Sequence, residues 1–289
     1  MKKGSLPIFV VLLALFGLLL IFSNIKTKTP TQKPASLGES QVAIATPSPP
    51  FVFKTYTAPK INKKSVYTIF MIGDSMTLAL GPHGGTFSEF INNSLYKKDN
   101  IYILIDNYAK GSTNILSVND QLTQKTTYWD STFEPLLSRD FDLILIESFG
   151  YNPLSFAGSV EEGIKKQNKA LDDLMTKLII TRPNTRILFV ATIAPSRENY
   201  AKKVLLNVPT ADRVKQAEER MAYIKNHIDY AKAHNIPVVN VYEKSLNAAG
   251  DGDLKYINPD DFIHPSFEGV DLIGHEIANF IYNNQILPH

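Results

Sequence analysis

Gly73-Asp74-Ser75 closes the apolar run Val66–Ile72, broken only by Thr68, and Asp261-Phe262-Ile263-His264 stands near the other end of the chain. The first segment sets a serine hydroxyl where a buried strand emerges into a turn. The second supplies an acid and an imidazole three residues apart, close enough for one carboxylate to hold a ring nitrogen. Serine, histidine and aspartate are the parts of a nucleophilic acyl-transfer site: the imidazole accepts the hydroxyl proton and the acid fixes the ring's tautomer. Each segment alone has a plainer reading. Gly-Asp-Ser after a strand is a turn signal, and Asp261 with Ser266 could form a helix entry. Their joint presence favours chemistry.

The elements that must position these residues follow from periodicity. Val66–Ile72, Ile101–Ile105, Leu143–Ile146, Arg186–Thr192 and Pro237–Val241 read as strands apolar on both faces, as in a parallel sheet covered by helices. Between them run stripes of helical period: Val160, Ile164, Leu171, Leu174 and Leu178; Val214, Ala217, Met221, Ile224, Ile228 and Ala231; Val270, Ile273, Ile277 and Ile281. The alternation predicts a three-layer α/β/α sandwich. In such sheets ligands gather outside the carboxyl ends of the strands. Ser75 follows the first strand, Gly111 the second and Gly150-Tyr151-Asn152 the third, so all point to one rim. Asp261 and His264 precede the last helix and can reach it.

These blocks resemble the SGNH (GDSL-type) hydrolase family of esterases, lipases and acetyl-sugar hydrolases. The first appears as Ile72-Gly73-Asp74-Ser75-Met76, the second as Ala109-Lys110-Gly111-Ser112-Thr113, the third as Phe149-Gly150-Tyr151-Asn152 and the last as Asp261-Phe262-Ile263-His264-Pro265. The resemblance covers about residues 65–286 and implies a flavodoxin-like sandwich with a five-stranded parallel sheet. It implies Ser75 as nucleophile, His264 as base and Asp261 as the acid that orients it. It further implies an oxyanion hole from the Gly111 backbone N–H and the Asn152 side-chain amide, with the Ser75 N–H as a third donor. Pro153 departs from the family, many of whose members have aspartate there.

The implied reaction is hydrolysis of a small acyl ester, such as acetyl, on a small molecule or a carbohydrate. An O-acyltransferase would use the same residues, and a catalytically silent binding domain would keep the fold. No cofactor is expected. Asp260, Asp261 and His264 could hold a metal, but a third, distant ligand is not apparent. Tyr128, Trp129 and Phe133 read as core or rim packing, with a sugar platform as the alternative. His83, His227, His234, His275 and His289 read as solvated.

Bulk composition narrows the partners. The chain of 289 residues has 30 basic and 28 acidic side chains, a net charge of +2, which gives no electrostatic case for nucleic acid. It has no cysteine, which excludes disulfides, thiolate catalysis and cysteine-ligated zinc. Lys2 and Lys3 precede Leu6 to Phe22, seventeen residues without a charge that would span roughly 25 Å as a helix. Ser23-Asn24-Ile25-Lys26 is a poor cleavage site. Residues 1–25 are therefore expected to anchor the chain in the cell membrane as a single pass, with secretion after cleavage as the alternative. Residues 26–64, rich in Pro, Thr, Ser and Lys, read as a flexible tether. Residues 65–289 form the expected catalytic domain outside the membrane.

Overall fold

Hydrophobic runs flanked by Gly and polar turns become five parallel strands. The computed structural model describes residues 53–155 and 158–289, so the proposed anchor and most of the tether lie outside the described residues. In chain order the elements are β1 (Val66–Ile72), α1 (Ser75–Leu78), α2 (Gly85–Asp99), β2 (Tyr102–Asn107), α3 (Val118–Thr123), β3 (Thr126–Tyr128) and β4 (Ser131–Phe133). They continue with β5 (Leu143–Glu147), α4 (Val160–Thr181), β6 (Arg186–Ala191), α5 (Thr210–Ala233), β7 (Val238–Asn240), α6 (Val241–Lys244) and α7 (Phe267–Asn283). The main sheet has the order β2-β1-β5-β6-β7, with every pairing parallel. This is the flavodoxin-like order. No helix among the described residues is long and apolar enough to cross a membrane.

Alternation along the strands divides the core. Tyr67, Ile69 and Met71 of β1 face one layer with Phe87 and Ile91 of α2 and Ile273 and Ile277 of α7. Phe70 and Ile72 face the other, with Leu171 and Leu174 of α4. Helix starts are capped by serine: Ser159 Oγ accepts from Glu162 N and Ser266 Oγ from Gly269 N. Ser266 thus fulfils the plain reading of its segment, and it does so beside His264.

Several expectations are revised. β2 is buried on one face only, because it is the edge strand and leaves Tyr102 and Leu104 about half exposed. Val160 lies outside the buried stripe of α4, which instead includes Gly163 and Gln167; the Gln167 amide can be buried because it donates to Ser148 O at 2.8 Å. The hairpin β3–β4 has strands too short to show a period. His227 is not solvated. It is fully buried on the inner face of α5, stacked on Phe189 at 4.3 Å, with Nε2 3.2 Å from Ile146 O. Burial lowers its pKa to about 3, so the ring is neutral and structural.

The largest revision concerns residues 53–64, assigned by composition to the tether. They are neither helix nor strand, yet Phe53 and Tyr56 are buried in the core. Tyr56 Oη accepts from Ile187 N at 2.9 Å, its N–H donates to His234 O at 2.8 Å, and its carbonyl accepts from Asn235 Nδ2 at 3.1 Å. Arg186 Nε donates to Pro59 O, and Lys64 pairs with Asp142. Two aromatic hooks hidden in Pro-, Thr- and Lys-rich sequence carry this attachment, so a boundary at Ser65 cuts through the folded unit. A chain beginning at Ser65 should therefore unfold at lower urea than one beginning at residue 50. In the full chain, Tyr56→Ala should cost ~3–5 kcal/mol, read from the midpoint at constant m. An unmoved midpoint would mean that the segment packs without stabilising.

Candidate active site

β1 delivers Gly73-Asp74-Ser75 to the rim. Asp74 is fully buried, and its two oxygens do different work. Oδ1 accepts from Met76 N at 2.9 Å, which caps α1 and fixes the turn that presents Ser75. Oδ2 accepts from Asn152 Nδ2 at 2.8 Å, tying this turn to the loop after β5. Ser75 begins α1, so its N–H belongs to the first turn, which lacks intrahelical partners. Gly73 is required by proximity: a Cβ there would lie 2.3 Å from Thr77 Oγ1 and 2.8 Å from Glu147 Cβ.

Glu147 is the acid that sequence reading missed. It ends β5 and is 2 % exposed. Its Oε1 accepts from Ser148 Oγ at 2.5 Å and its Oε2 from Phe149 N at 2.9 Å, while Asp74 N approaches Oε2 at 3.4 Å. Burial, then the charge of Asp74, push its carboxyl well above the usual range. Burial also raises Asp74, against the N–H of Met76, the amide of Asn152 and the charge of His264. Two buried carboxyls this close disfavour each other's ionisation, and of the two Glu147 is raised the further. The available signal was a lone acid closing an otherwise apolar strand.

The second block reaches the same place through Asn107, a further residue not singled out from sequence. Its Nδ2 donates to Thr77 O and Gly81 O, both at 2.9 Å, and its Oδ1 accepts from Ala109 N at 3.0 Å. Lys110 N then bonds Gly73 O at 3.1 Å. Gly111 N–H, expected to await an oxyanion, donates instead to Tyr128 Oη at 3.0 Å. Asn152 likewise has one amide proton engaged, by Asp74, and one remaining. Pro153 leaves that amide in place.

Asp261 and His264 pair as their spacing suggests. Asp261 Oδ2 lies 2.7 Å from His264 Nδ1, and Oδ1 accepts from Ile263 N at 2.8 Å and His264 N at 3.0 Å. Partial burial raises the Asp261 carboxyl, but the ring and these two N–H groups outweigh it and hold its pKa below the usual range. Ser112, Trp129, Phe149 and Phe262, in the loops around this site, adopt left-handed backbone with φ of 59°, 50°, 52° and 58°. Backbone strain of this kind clusters at functional sites.

No protein-family model and no curated protein matches the chain. Solved structures do. The lipase/acylhydrolase of Enterococcus faecalis aligns at 15% identity with a TM-score of 0.51, over 75% of this chain and 96% of that one. A protein assigned as a GDSL-like lipase in Parabacteroides merdae aligns at 17% identity and a TM-score of 0.54, over 79% of this chain and all of that one, 100%. The chain shares the fold of these two proteins. In an SGNH-type sheet the topological switch lies between the first strand and its inner neighbour, here β1 and β5. The Asn152–Asp74 bond spans that crevice.

The raised pKa of Glu147 gives a test. A raised acid holds in the folded state a proton that the unfolded chain releases, so its stability contribution is lost as pH rises through the folded pKa. Glu147→Gln mimics the protonated form and escapes that loss. Urea unfolding should show the variant gaining on wild type between pH 5 and pH 8 by ~1 kcal/mol or more. A gap independent of pH would mean that Glu147 is ionised in the folded protein.

Proposed function

We propose that this protein is a serine esterase that removes small acyl groups, such as acetyl, from carbohydrate at the outer side of a cell membrane. The observation that carries the reading is the 2.7 Å contact between Asp261 Oδ2 and His264 Nδ1. That contact, with two backbone N–H groups fixing the carboxylate, sets the tautomer that leaves Nε2 able to accept a proton. The SGNH-type fold, shared with proteins named lipase and acylhydrolase, supports the same chemistry.

In this mechanism Ser75 Oγ attacks the acyl carbon as His264 Nε2 takes its proton. Charge on the former carbonyl oxygen meets the Ser75 N–H and the second amide proton of Asn152. Gly111 N–H joins them when the acyl oxygen replaces the Tyr128 hydroxyl, which sits 3.0 Å from that nitrogen, within the range expected of an oxyanion. The imidazolium returns its proton to the departing alcohol; water, deprotonated by the same ring, then attacks the acyl carbon, and as the bond to Ser75 Oγ breaks that oxygen takes the proton back from the ring. The uncharged segment Leu6–Phe22 supports attachment of the chain to a membrane.

Hydrolysis of p-nitrophenyl acetate tests the proposal. Ser75→Ala and His264→Ala should each lower turnover by up to about 10⁶-fold, with unchanged urea midpoints. Ser75→Ala protein that retains more than about a tenth of wild-type turnover would remove Ser75 from the reaction.

A further inference from the structure

The hairpin β3–β4 is clamped beside the Gly111 loop, and beyond the Tyr128 hydroxyl its side chains take no part in the chemistry above. Lys110 Nζ donates to Thr126 Oγ1 at 2.5 Å and lies over the Phe133 ring at 5.3 Å. Gly111 N–H holds Tyr128 Oη. The two strands pair Tyr128 with Ser131, leaving Trp129-Asp130 as the turn. Trp129 has φ of 50°, a conformation that bulky residues seldom adopt and that two-residue hairpin turns usually give to Gly, Asn or Asp. The indole that occupies this strained position is 74% exposed. One of its faces is covered by the Tyr128 ring, with centroids 5.0 Å apart and planes inclined by 17°; the other is open.

We propose that Trp129, backed by Tyr128, is a pyranose-binding platform that seats the sugar ring of an acylated saccharide next to Ser75. The inference rests on the esterase reading for its substrate and on the hairpin for its geometry. The face of a pyranose is a sheet of C–H bonds, which suits the electron-rich face of an indole, while its edge carries hydroxyls. The surroundings of Trp129 match that edge: Thr127, Asp130, Ser131 and Thr132 are all exposed and offer hydroxyl and carboxylate partners. An acyl chain would need a continuous apolar groove, and these polar neighbours interrupt one. Tyr128 links the platform to the chemistry, since its ring backs the indole while its hydroxyl bonds Gly111 N, the proposed oxyanion donor. A sugar stacked on Trp129 is therefore held by the same hairpin that reaches Gly111.

Trp129 is the only tryptophan in the chain, so intrinsic fluorescence reports on this position alone. Full-length protein in a detergent without a sugar headgroup, both wild type and Ser75→Ala, would be titrated with xylotetraose, with chitotetraose and with sodium octanoate. The expected result is a saturable emission change with at least one tetrasaccharide and none with octanoate. Silence toward both sugars, or an equal response to octanoate, would overturn the platform. In kinetics, Trp129→Ala should lower the ratio of kcat/KM for acetylated xylotetraose to that for p-nitrophenyl acetate by about three- to ten-fold, and an unchanged ratio would overturn the proposal. A wild type that shows the sugar response but hydrolyses neither ester would overturn the esterase reading while supporting the platform.

Discussion

The hydrogen bond from Asn152 Nδ2 to Asp74 Oδ2, 2.8 Å long and made to a fully buried carboxylate, is the contact on which the rest of the site depends. β1 and β5 are neighbours in the sheet, but their outgoing loops diverge at the switch point. Sheet hydrogen bonds end there and cannot set the distance between the loops. Asp74 does so while also capping α1 and fixing the serine turn. A hydrogen bond to a charged group contributes ~1.5–3 kcal/mol, against a desolvation cost of several kcal/mol for the ion. The carboxylate therefore adds little net stability, and its role is positional.

That arrangement sets the other carboxyls apart. Glu147, pressed against Asp74 in a buried site, is driven to hold a proton; Asp261, partly exposed and bonded to a ring and two N–H groups, is driven to lose its own. Environment divides them into a buried acid in the wall with its pKa raised and a partner for the imidazole with its pKa lowered. The glycines serve the same geometry. Gly73 admits Glu147, and a Cβ at Gly150 would lie 2.3 Å from Ile224 Cγ1, so α5 can pack directly on the loop that carries Asn152.

Much of this was legible in the sequence for physical reasons. Buried parallel strands read as uninterrupted apolar runs, so the sheet and its carboxyl rim followed from periodicity, and the contact between Asp261 and His264 followed from their spacing. What stayed hidden depends on contacts distant in sequence. Tyr128 meets Gly111 only because a hairpin with three-residue strands folds back, and such strands carry no period. His227 looks like any polar residue on a helix until α5 is docked with Phe189 beneath it. Phe53 and Tyr56 sit in a stretch whose average composition is that of a linker, and averages conceal two anchoring side chains.

The account turns on Ser75 being an activated nucleophile whose activation comes through His264. A fluorophosphonate followed by peptide mass spectrometry reads both points together, because the reagent bonds only to a serine oxygen that can shed its proton. The account predicts one adduct, on Ser75, formed in wild type and sharply reduced in His264→Ala. Labelling of a different serine, or equal labelling of Ser75 in the two proteins, would contradict it.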